Sequence, residues 1–480
     1  MKKPLFTLLL LCLFQFVFSQ QIGFEKVLNQ FLNQPEYKHA SVGINIIDLE
    51  SGKQVYALNS EKLMVPASTL KLVTSAATLE LLGADYRFET KVGFTGQIDE
   101  NKLNGNLAVI GGGDPALGSE YFKDHYFNPH FLDVWVDKII ETGIEEVSGD
   151  LILDISLYDS KKIPPTWIWE DMGNYFGAGA SALTIFDNLF RITFRSSRIA
   201  GRLTEIINIE PAVGGINLEN EVVSANIKYD RAYVFGSPLD KKRVIRGSIP
   251  KNRRAFTIKA SVPEPELLLG NQLQQRLLKK GIKILGEVKV KEIPQEKFHP
   301  VFIQYSPELT EIVEVLNHES VNLFAEHLVK QVAAEIKGTG SRDEGIKIIK
   351  GFWDMNGIHK EDWFMEDGSG LSHFNAVPPK LLTKVLSYMY KQSLHKQEFV
   401  NSLAKTGEGT LIYWDRERFP GESLKVKSGS MTRVRCYAGY LVPDSGKTIA
   451  FSLMVNHFSG SHTKLIRHIE ELFYQLKTEF

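Results

Sequence analysis

Hydrophobic and polar positions alternate on both sides of a short turn near each end of the chain. The stretch ASVGINIIDLESGKQVYAL alternates, turns at Ser51-Gly52 and alternates again, which predicts a β-hairpin. Near the other end, VRCYAGYLVPDSGKTIAFSLMVNHF predicts a second hairpin, and SHTKLIRHIEELFYQLKTEF predicts an amphipathic last helix. We therefore expect the two ends of the chain to share one antiparallel sheet flanked by helices.

The middle of the chain has a different pattern. From about Arg87 to Val290, many short alternating segments are separated by turn signals, for example NGNLAVIGGG, GDLILDI, NLFRITFRSS and RAFTIKASV. One helix, PELLLGNQLQQRLLKKGI, interrupts them, and helix returns from Glu308 to Gly338 with a break at NHES. The overall pattern predicts an α+β fold with one or two β-rich insertions.

One predicted helix, in VPASTLKLVTSAATLELLG, is apolar nearly all round and ends naturally at Gly83. A helix of this kind runs through a core. Ser68 and Lys71 lie at its start, and residues three apart share one helix face, so Lys71 can reach the Ser68 hydroxyl. Ser-x-x-Lys motifs also begin at four other serines, none of which opens a buried helix: Ser248, Ser393, Ser402 and Ser461.

Burial is what a catalytic lysine needs. An unperturbed lysine has a pKa of about 10.4 and is a poor base at neutral pH, whereas burial disfavours the charged form and lowers the pKa. Lys71 could then deprotonate Ser68 as a nucleophile. The alternative is that Ser68 caps the helix and Lys71 extends into solvent.

A second candidate motif is Ser320-Val321-Asn322, which lies at the break between two helical stretches. A loop there suits a hydroxyl and an amide that project into a cleft. The alternative is a helix cap. Ser224-Ala225-Asn226 has the same spacing but lies in a plain predicted strand.

A third candidate motif, Lys427-Ser428-Gly429, lies in the alternating segment SLKVKSGSM, which predicts a strand. Gly429 allows another backbone or a ligand to approach closely. The alternative is a solvated strand lysine. The similar Lys405-Thr406-Gly407 is predicted to be a loop.

Length, charge and the N-terminus limit the class of protein. The 480 residues exceed one ordinary core, and a net charge of −1 gives no indication of nucleic-acid binding. Residues 1–19 read as a secretory signal peptide, with an uncleaved anchor as the alternative. Cleavage would remove Cys12, leave Cys436 alone and preclude an intrachain disulfide. We therefore expect an exported, periplasmic protein with no membrane-spanning segment after cleavage.

The three motifs in this order are typical of serine acyl-transferases of the penicillin-binding and β-lactamase kind. The segment between Ser68 and Ser320 is too long for a compact β-lactamase. In this respect the chain resembles the D-alanyl-D-alanine carboxypeptidase/endopeptidase family, the class C low-molecular-mass penicillin-binding proteins, which carry two extra domains between the first and second motifs. The stretches IGGGDPAL, PPTWIWEDMGNYFGAGASAL and EDGSGLS agree with that family.

The resemblance implies a nested architecture. A transpeptidase-like domain, with an antiparallel sheet flanked by helices, would comprise residues 21–90 and 300–480. Residues 91–186 and 255–299 would form a second, β-rich domain. Residues 187–254 would form a third domain inserted into the second.

The resemblance also implies the catalytic roles. Ser68 would be the nucleophile, Lys71 its general base, and Ser320 a proton relay to the leaving amine. The backbone N–H groups of Ser68 and Ser430 would form an oxyanion hole. The substrate would be bound by the Asn322 amide, the Lys427 charge, the Ser428 hydroxyl and the strand around Gly429.

Two acidic residues are less specific. Asp171 matches a position that in some members contacts the free amino group of the peptide's diamino acid, and its alternative is a carboxylate that caps a turn. Asp367, in Asp-Gly-Ser-Gly, is interpreted first as part of a structural turn.

The implied reaction is acyl transfer at D-Ala–D-Ala or D-Ala–diamino acid bonds of peptidoglycan stem peptides, with β-lactam antibiotics acylating the same serine. No metal or organic cofactor is required. His-Glu-x-x-His and Gly-x-Ser-x-Gly are absent from the sequence, which argues against zinc proteases and α/β-hydrolases. The alternatives are a β-lactamase and a non-catalytic wall-binding protein.

Overall fold

The computed structural model describes residues 23–123 and 130–480. The predicted signal peptide, residues 1–19, lies outside the described residues. Within the described ranges, no helix combines the length and the apolar character needed to cross a bilayer. Cys436 is buried and is not in a disulfide.

Strands from all parts of the chain form four sheets, a mixture with helices that confirms the predicted α+β class. In chain order, the strands of the described residues are β1 (Ser41–Asp48), β2 (Gln54–Leu58), β3 (Glu89–Asp99), β4 (Lys102–Ile110), β5 (Glu146–Val147), β6 (Leu151–Asp154), β7 (Leu189–Arg195), β8 (Glu205–Glu210), β9 (Asn217–Ala225), β10 (Tyr233–Phe235), β11 (Lys242–Pro250), β12 (Phe256–Ser261), β13 (Lys283–Ile284), β14 (Val288–Val290), β15 (Phe298–Tyr305), β16 (Ala404–Lys405), β17 (Leu424–Met431), β18 (Val434–Leu441) and β19 (Ile449–Asn456).

Helices are more frequent in the N- and C-terminal parts of the sequence than in its middle. Short 3₁₀ turns join several of the elements, and one of them precedes the second helix. The helices are α1 (residues 23–32), α2 (Lys71–Leu82), α3 (Phe131–Ile140), α4 (Trp169–Met172), α5 (Pro265–Lys279), α6 (Leu309–His318), α7 (Asn322–Lys337), α8 (Arg342–Met355), α9 (Pro379–Lys391), α10 (Lys396–Asn401) and α11 (His462–Glu479).

The two ends of the chain share one six-stranded antiparallel sheet, in the order β16-β17-β18-β19-β1-β2. Both predicted hairpins are present, and β1 pairs with β19 so that Ser41 lies opposite Asn456. Val42, Ile44 and Ile46 alternate along β1 and pack on the side that α1 and α11 cover. Helix α9 packs against the opposite face, and α2 packs on α9. The expectation of one shared antiparallel sheet is therefore confirmed.

The middle of the chain builds the other three sheets. A seven-stranded sheet combines β3 to β6 with β13 to β15, which come from either side of the segment that contains β7 to β12. That segment forms two three-stranded sheets, β12-β7-β8 and β10-β11-β9. In the second of these sheets, β11 pairs with β9 in parallel and with β10 in antiparallel orientation, so this sheet is mixed.

Helix α2 lies at the centre of the larger hydrophobic core, which also contains residues from the middle of the chain. Every residue of α2 from Lys71 to Leu79 is buried, as its nearly uniform apolar pattern predicts. The helix ends at Gly83, whose φ of 91° requires a residue without a side chain. Trp353 of α8 donates a hydrogen bond to the Val73 carbonyl at 3.2 Å. The start of α2 is thereby held in a fixed position.

Two local expectations differ from the structure. Ser68 does not begin the α-helix, because Ala67–Leu70 forms a 3₁₀ turn and α2 begins at Lys71. Lys405, predicted to be in a loop, belongs to the two-residue strand β16, which pairs with Val426 and Lys425 of β17. The second difference arises because so short a strand is stabilised by its partner and leaves no periodic pattern in the sequence.

Candidate active site

Ser68 lies in the 3₁₀ turn that enters α2, and it is half-buried. The turn is preceded by Pro66, and neither this turn nor α2 has a side-chain cap. The interpretation of Ser68 as a helix cap is therefore wrong. Ala67, immediately before it, has a φ of 46°, a sparsely populated conformation that costs about 1–3 kcal/mol unless the surroundings enforce it.

Lys71 is completely buried, which excludes the alternative that it extends into solvent. Its ammonium donates three hydrogen bonds, one each to Ser68 Oγ (3.0 Å), Asn322 Oδ1 (2.6 Å) and the Ser369 carbonyl (2.7 Å). Burial lowers the pKa of Lys71 to about 7, although Asp367 and Glu326 act in the opposite direction. A lysine with this pKa can exchange a proton with a serine hydroxyl at neutral pH.

Asn322 is the first residue of α7, and both ends of its side chain are engaged. Its oxygen accepts from Lys71, and its Nδ2 donates to the Phe176 carbonyl at 2.9 Å. Phe176 belongs to the segment that follows α4. The amide thus joins α2, α7 and this segment at one point, and it orients the Lys71 ammonium.

Ser320 and Lys427 form a second serine–lysine pair. Lys427 Nζ donates to Ser320 Oγ at 2.9 Å and to the Ser428 carbonyl at 2.8 Å. Ser320 has a φ of 62° and lies between α6 and α7, whose N-cap is Val321 without a side-chain bond, so Ser320 is not a helix cap. Lys427 is completely buried, so the alternative of a solvated strand lysine is also wrong.

The two lysines face the same site. Burial holds the pKa of Lys427 well below its usual range, and the neighbouring charges of Lys71 and Arg435 lower it further. Arg435 itself donates to Tyr437 Oη. An anionic group on a bound ligand would raise the pKa of both lysines, and their protonated amines would compensate its charge.

Strand β17 passes directly beside the Ser68 turn. A Cβ atom at Gly429 would lie 2.7 Å from the Pro66 carbonyl oxygen and 3.0 Å from the Ser68 nitrogen. Only glycine allows this approach of two backbones. Ser428 is buried on one side of Gly429, and Ser430 is exposed on the other.

One edge of β17 is open near Ser68. Its short neighbour β16 pairs only with Lys425 and Val426, so among the described strands nothing pairs with β17 on that side from Lys427 to Met431. An unpaired strand edge can accept an extended peptide as a further strand.

Asp367 organises a buried turn that touches Lys71, which agrees with its interpretation as a structural residue. Oδ1 accepts from the Gly370 N–H and from Asn375 Nδ2, each at 2.8 Å. Oδ2 accepts from Trp167 Nε1 at 2.7 Å and from the Ser372 N–H at 2.6 Å. The same turn presents the Ser369 carbonyl to Lys71.

Asp171 lies in α4 and is nearly buried. Burial, together with the neighbouring charge of Glu170, raises the pKa of its carboxyl to about 6. Its backbone precedes the segment that reaches Asn322 through the Phe176 carbonyl. The structure thus links Asp171 to the serine–lysine cluster through five residues of chain.

Three residues of this site escaped the sequence analysis. Trp167 and Phe176 lie in a stretch that was noticed only for its resemblance, and Glu326 accepts from the Gly368 and Ser369 N–H groups at 3.0 and 2.9 Å. One signal for Glu326 is present in the sequence: it follows Asn322 by four residues on the same helix, and therefore shares its face.

The cluster combines the Ser68 hydroxyl, the buried Lys71 amine beside it and the second pair Ser320–Lys427. These are the groups that nucleophilic acyl transfer requires. Within residues 23–123 and 130–480, no group of three or more histidine, cysteine, aspartate or glutamate side chains is placed to hold a metal ion.

Comparisons with known proteins agree with the sequence resemblance. A D-alanyl-D-alanine carboxypeptidase from Actinomadura sp. (strain R39) is 28% identical over 447 residues, covering 90% of this chain and 81% of the relative. A crystal structure of penicillin binding protein 4 from Haemophilus influenzae has the same fold, with a TM-score of 0.79, 24% identity, and coverage of 92% of this chain and 97% of that chain. A structure of that protein complexed with a β-lactam has a TM-score of 0.76 at 23% identity, covering 94% and 99%.

The comparison that decides the family covers nearly the whole described chain. The model of the D-Ala-D-Ala carboxypeptidase 3 (S13) family matches residues 24–474, which include all three serine and lysine motifs. The chain therefore belongs to the D-Ala-D-Ala carboxypeptidase 3 (S13) family of peptidases.

Proposed function

We propose that Ser68 is the nucleophile of a D,D-peptidase that acts on peptidoglycan stem peptides through an acyl-serine intermediate. The observation that carries this proposal is the 3.0 Å contact between Ser68 Oγ and the completely buried Lys71, whose pKa is about 7. Among the five Ser-x-x-Lys motifs, this is the one in a buried helix start.

The proposed reaction has two balanced steps. Ser68 Oγ attacks the carbonyl carbon of the penultimate D-alanine and passes its proton to neutral Lys71. The amide C–N bond then breaks, and Ser320 relays a proton to the leaving amine. Water attacks the ester in the second step, which releases the shortened peptide and restores the Ser68 hydroxyl.

The open edge of β17 would bind the peptide as an added strand. Lys427, helped by the Ser428 hydroxyl, would receive the terminal carboxylate, and Gly429 leaves room for this close approach. The N–H groups of Ser68 and Ser430 would stabilise the tetrahedral oxyanion, each contributing a factor of about 10²–10³ in rate. Asn322 would orient Lys71 and contact the substrate amide.

Asp171 favours endopeptidase activity beside carboxypeptidase activity. Its carboxyl is nearly buried and the neighbouring charge that acts on it, that of Glu170, is also negative, so an ammonium is the partner that would compensate it. The free amino group of a diamino acid in a D-Ala–diamino acid cross-link is such an ammonium. β-Lactams would acylate Ser68 as substrate mimics, as the β-lactam complex of penicillin binding protein 4 supports.

We further propose export to the periplasm, where this substrate lies, through the signal at residues 1–19. The proposed catalytic domain spans 21–90 and 300–480, the second domain 91–186 and 255–299, and the third 187–254. The proposed chemistry uses the side chains and backbone N–H groups of the chain and requires no metal or organic cofactor.

The test is intact-protein mass spectrometry during incubation with benzylpenicillin, beside Ser68→Ala and the control Ser248→Ala, which alters another Ser-x-x-Lys motif. A lasting single adduct in the unmodified protein and the control, absent from Ser68→Ala, is expected. An adduct that disappears within seconds would indicate a β-lactamase. No adduct, together with no hydrolysis of muropeptides, would refute the proposal and favour a wall-binding protein.

A further inference from the structure

Glu326 is a buried carboxylate that the proposed reaction does not use. It is 2% exposed and lies on α7, one helical turn after Asn322. Its Oε1 accepts from the backbone N–H groups of Gly368 and Ser369, at 3.0 and 2.9 Å. A buried carboxylate costs several kcal/mol of desolvation, so its presence in a core needs a reason.

The contacts of Glu326 lead directly to the lysine of the active site. The Ser369 N–H donates to Glu326, and the Ser369 carbonyl, which belongs to the next peptide group, accepts from Lys71 Nζ at 2.7 Å. On the same helix face, Asn322 Oδ1 accepts from Lys71 at 2.6 Å. Two of the three hydrogen bonds of Lys71 therefore depend on one face of α7, one directly and one through the turn.

We propose that Glu326 is a positioning residue for Lys71, because it fixes the Gly368–Ser369 turn so that the Ser369 carbonyl holds the Lys71 amine against Ser68. This inference rests on the proposed function, since it assigns Lys71 the role of base. Without the Glu326 acceptor, two buried N–H groups lose their partner and the turn is free to move.

Glu326 also acts on Lys71 through its charge. Lys71 faces the Asp367 and Glu326 carboxyls, which both raise its pKa against the effect of burial, and it also faces the Lys427 amine. Burial and Asp367 raise the pKa of Glu326 itself. The other charged groups near Glu326 are Arg342 of α8 and Lys330 of its own helix.

Three substitutions separate the hydrogen bonds from the charge. Glu326→Gln keeps an oxygen that can accept both N–H groups but removes the charge. Glu326→Asp keeps the charge but is one methylene too short to reach the turn, and Glu326→Ala removes both. Glu335→Gln is the matched control, because Glu335 lies on the exposed part of the same helix and accepts hydrogen bonds from Tyr86 and Gln331, which are outside the serine–lysine cluster.

The measurement is the rate of acylation by benzylpenicillin from pH 5 to pH 9, with the folded fraction checked by thermal unfolding. We expect Glu326→Ala and Glu326→Asp to lose about 10²-fold, the usual effect of a misplacement of about 1 Å. Glu326→Gln should stay within about threefold at its optimum, and the acidic limb of its profile should move to lower pH, because a negative charge beside Lys71 is gone.

Acylation of Glu326→Ala at the rate of the Glu335→Gln control would overturn the proposal. So would an equal loss in Glu326→Gln and Glu326→Asp with no movement of the acidic limb, which would indicate a purely structural role. If Glu326→Ala does not fold, the acylation rates of Glu326→Gln and Glu326→Asp decide whether the proposal holds.

Failure of the proposed function gives a distinct result. The unmodified protein would then form no adduct, whatever residue 326 is. Titration of Lys71 by NMR after ¹³C reductive methylation, assigned with Lys71→Arg, tests the link without any acylation. A lower Lys71 pKa in Glu326→Gln supports the electrostatic link between the two residues, and an unchanged value contradicts it.

Discussion

Gly429→Ala is expected to damage acylation more than stability, because the only new atom would lie between the strand and the Ser68 turn. The added Cβ would stand 2.7 Å from the Pro66 oxygen and 3.0 Å from the nitrogens of Ser68 and Thr69. All three atoms belong to the backbone, so no side chain can rotate away. The strand and the turn must separate.

The size of that separation can be worked out from the contacts. An ordinary contact begins at 3.4 Å, so the Pro66 oxygen and the new Cβ must part by about 0.7 Å. Because a misplacement of about 1 Å costs about 10²-fold, we expect acylation to slow by about 10- to 100-fold. The cost in free energy of unfolding is about 1–3 kcal/mol, as for other overpacked sites.

The assay is the second-order rate constant for acylation by benzylpenicillin, combined with urea unfolding. Gly351→Ala is the control: Gly351 lies inside α8 with open space around its Cα, so alanine should add about 0.5–1 kcal/mol of stability and leave acylation unchanged. Acylation of Gly429→Ala at the normal rate would show that β17 does not need to lie against the Ser68 turn, and the reasoning would fail.

Three further outcomes are expected. Because the pKa of Lys71 is about 7 and the neutral amine is the active form, acylation should fall about tenfold per pH unit below pH 7, and a flat profile down to pH 5 would contradict this role. Asp171, whose pKa is about 6, should bind a peptide amino group only when its carboxyl is ionised. Calorimetry on Ser68→Ala should therefore show that a peptide with a free amino group binds more weakly below pH 6, whereas binding of the acetylated peptide should not change. Adding Asp171→Asn should abolish this difference between the two peptides. Trp167→Phe removes the 2.7 Å bond to Asp367 and should cost about 1.5–3 kcal/mol in urea unfolding, whereas an unchanged midpoint would show that the bond is not needed.

Sequence patterns predicted the elements of the catalytic site well where the signal is local. The uniform apolar character of α2, the break before α7 and the alternation of β17 all appear where they were expected. Burial of Lys71 was one of two alternatives that the sequence left open, and the packing around α2 decides between them.

What the sequence did not reveal depends on contacts between distant segments. The bond from Asn322 to the Phe176 carbonyl crosses 146 positions, and the pairing that makes Ala404–Lys405 a strand exists only beside β17. The close approach at Gly429 likewise becomes visible only when the Ser68 turn is placed against it. A 3₁₀ turn before α2 has no periodicity of its own, and so the start of that helix was placed too early.

The pairing of β1 with β19 has a consequence for how the protein matures. The ribosome makes Ser68 and Lys71 early, but β17, β18 and β19, which complete the six-stranded sheet that begins with β1 and β2, are made near the end. A chain interrupted anywhere before β19 lacks the central partner of β1, so an incomplete product has no assembled catalytic centre. Folding that depends on contacts so distant in sequence is slow. Because the catalytic centre forms only when these late strands are present, the nascent peptidase stays inert until its synthesis is nearly finished.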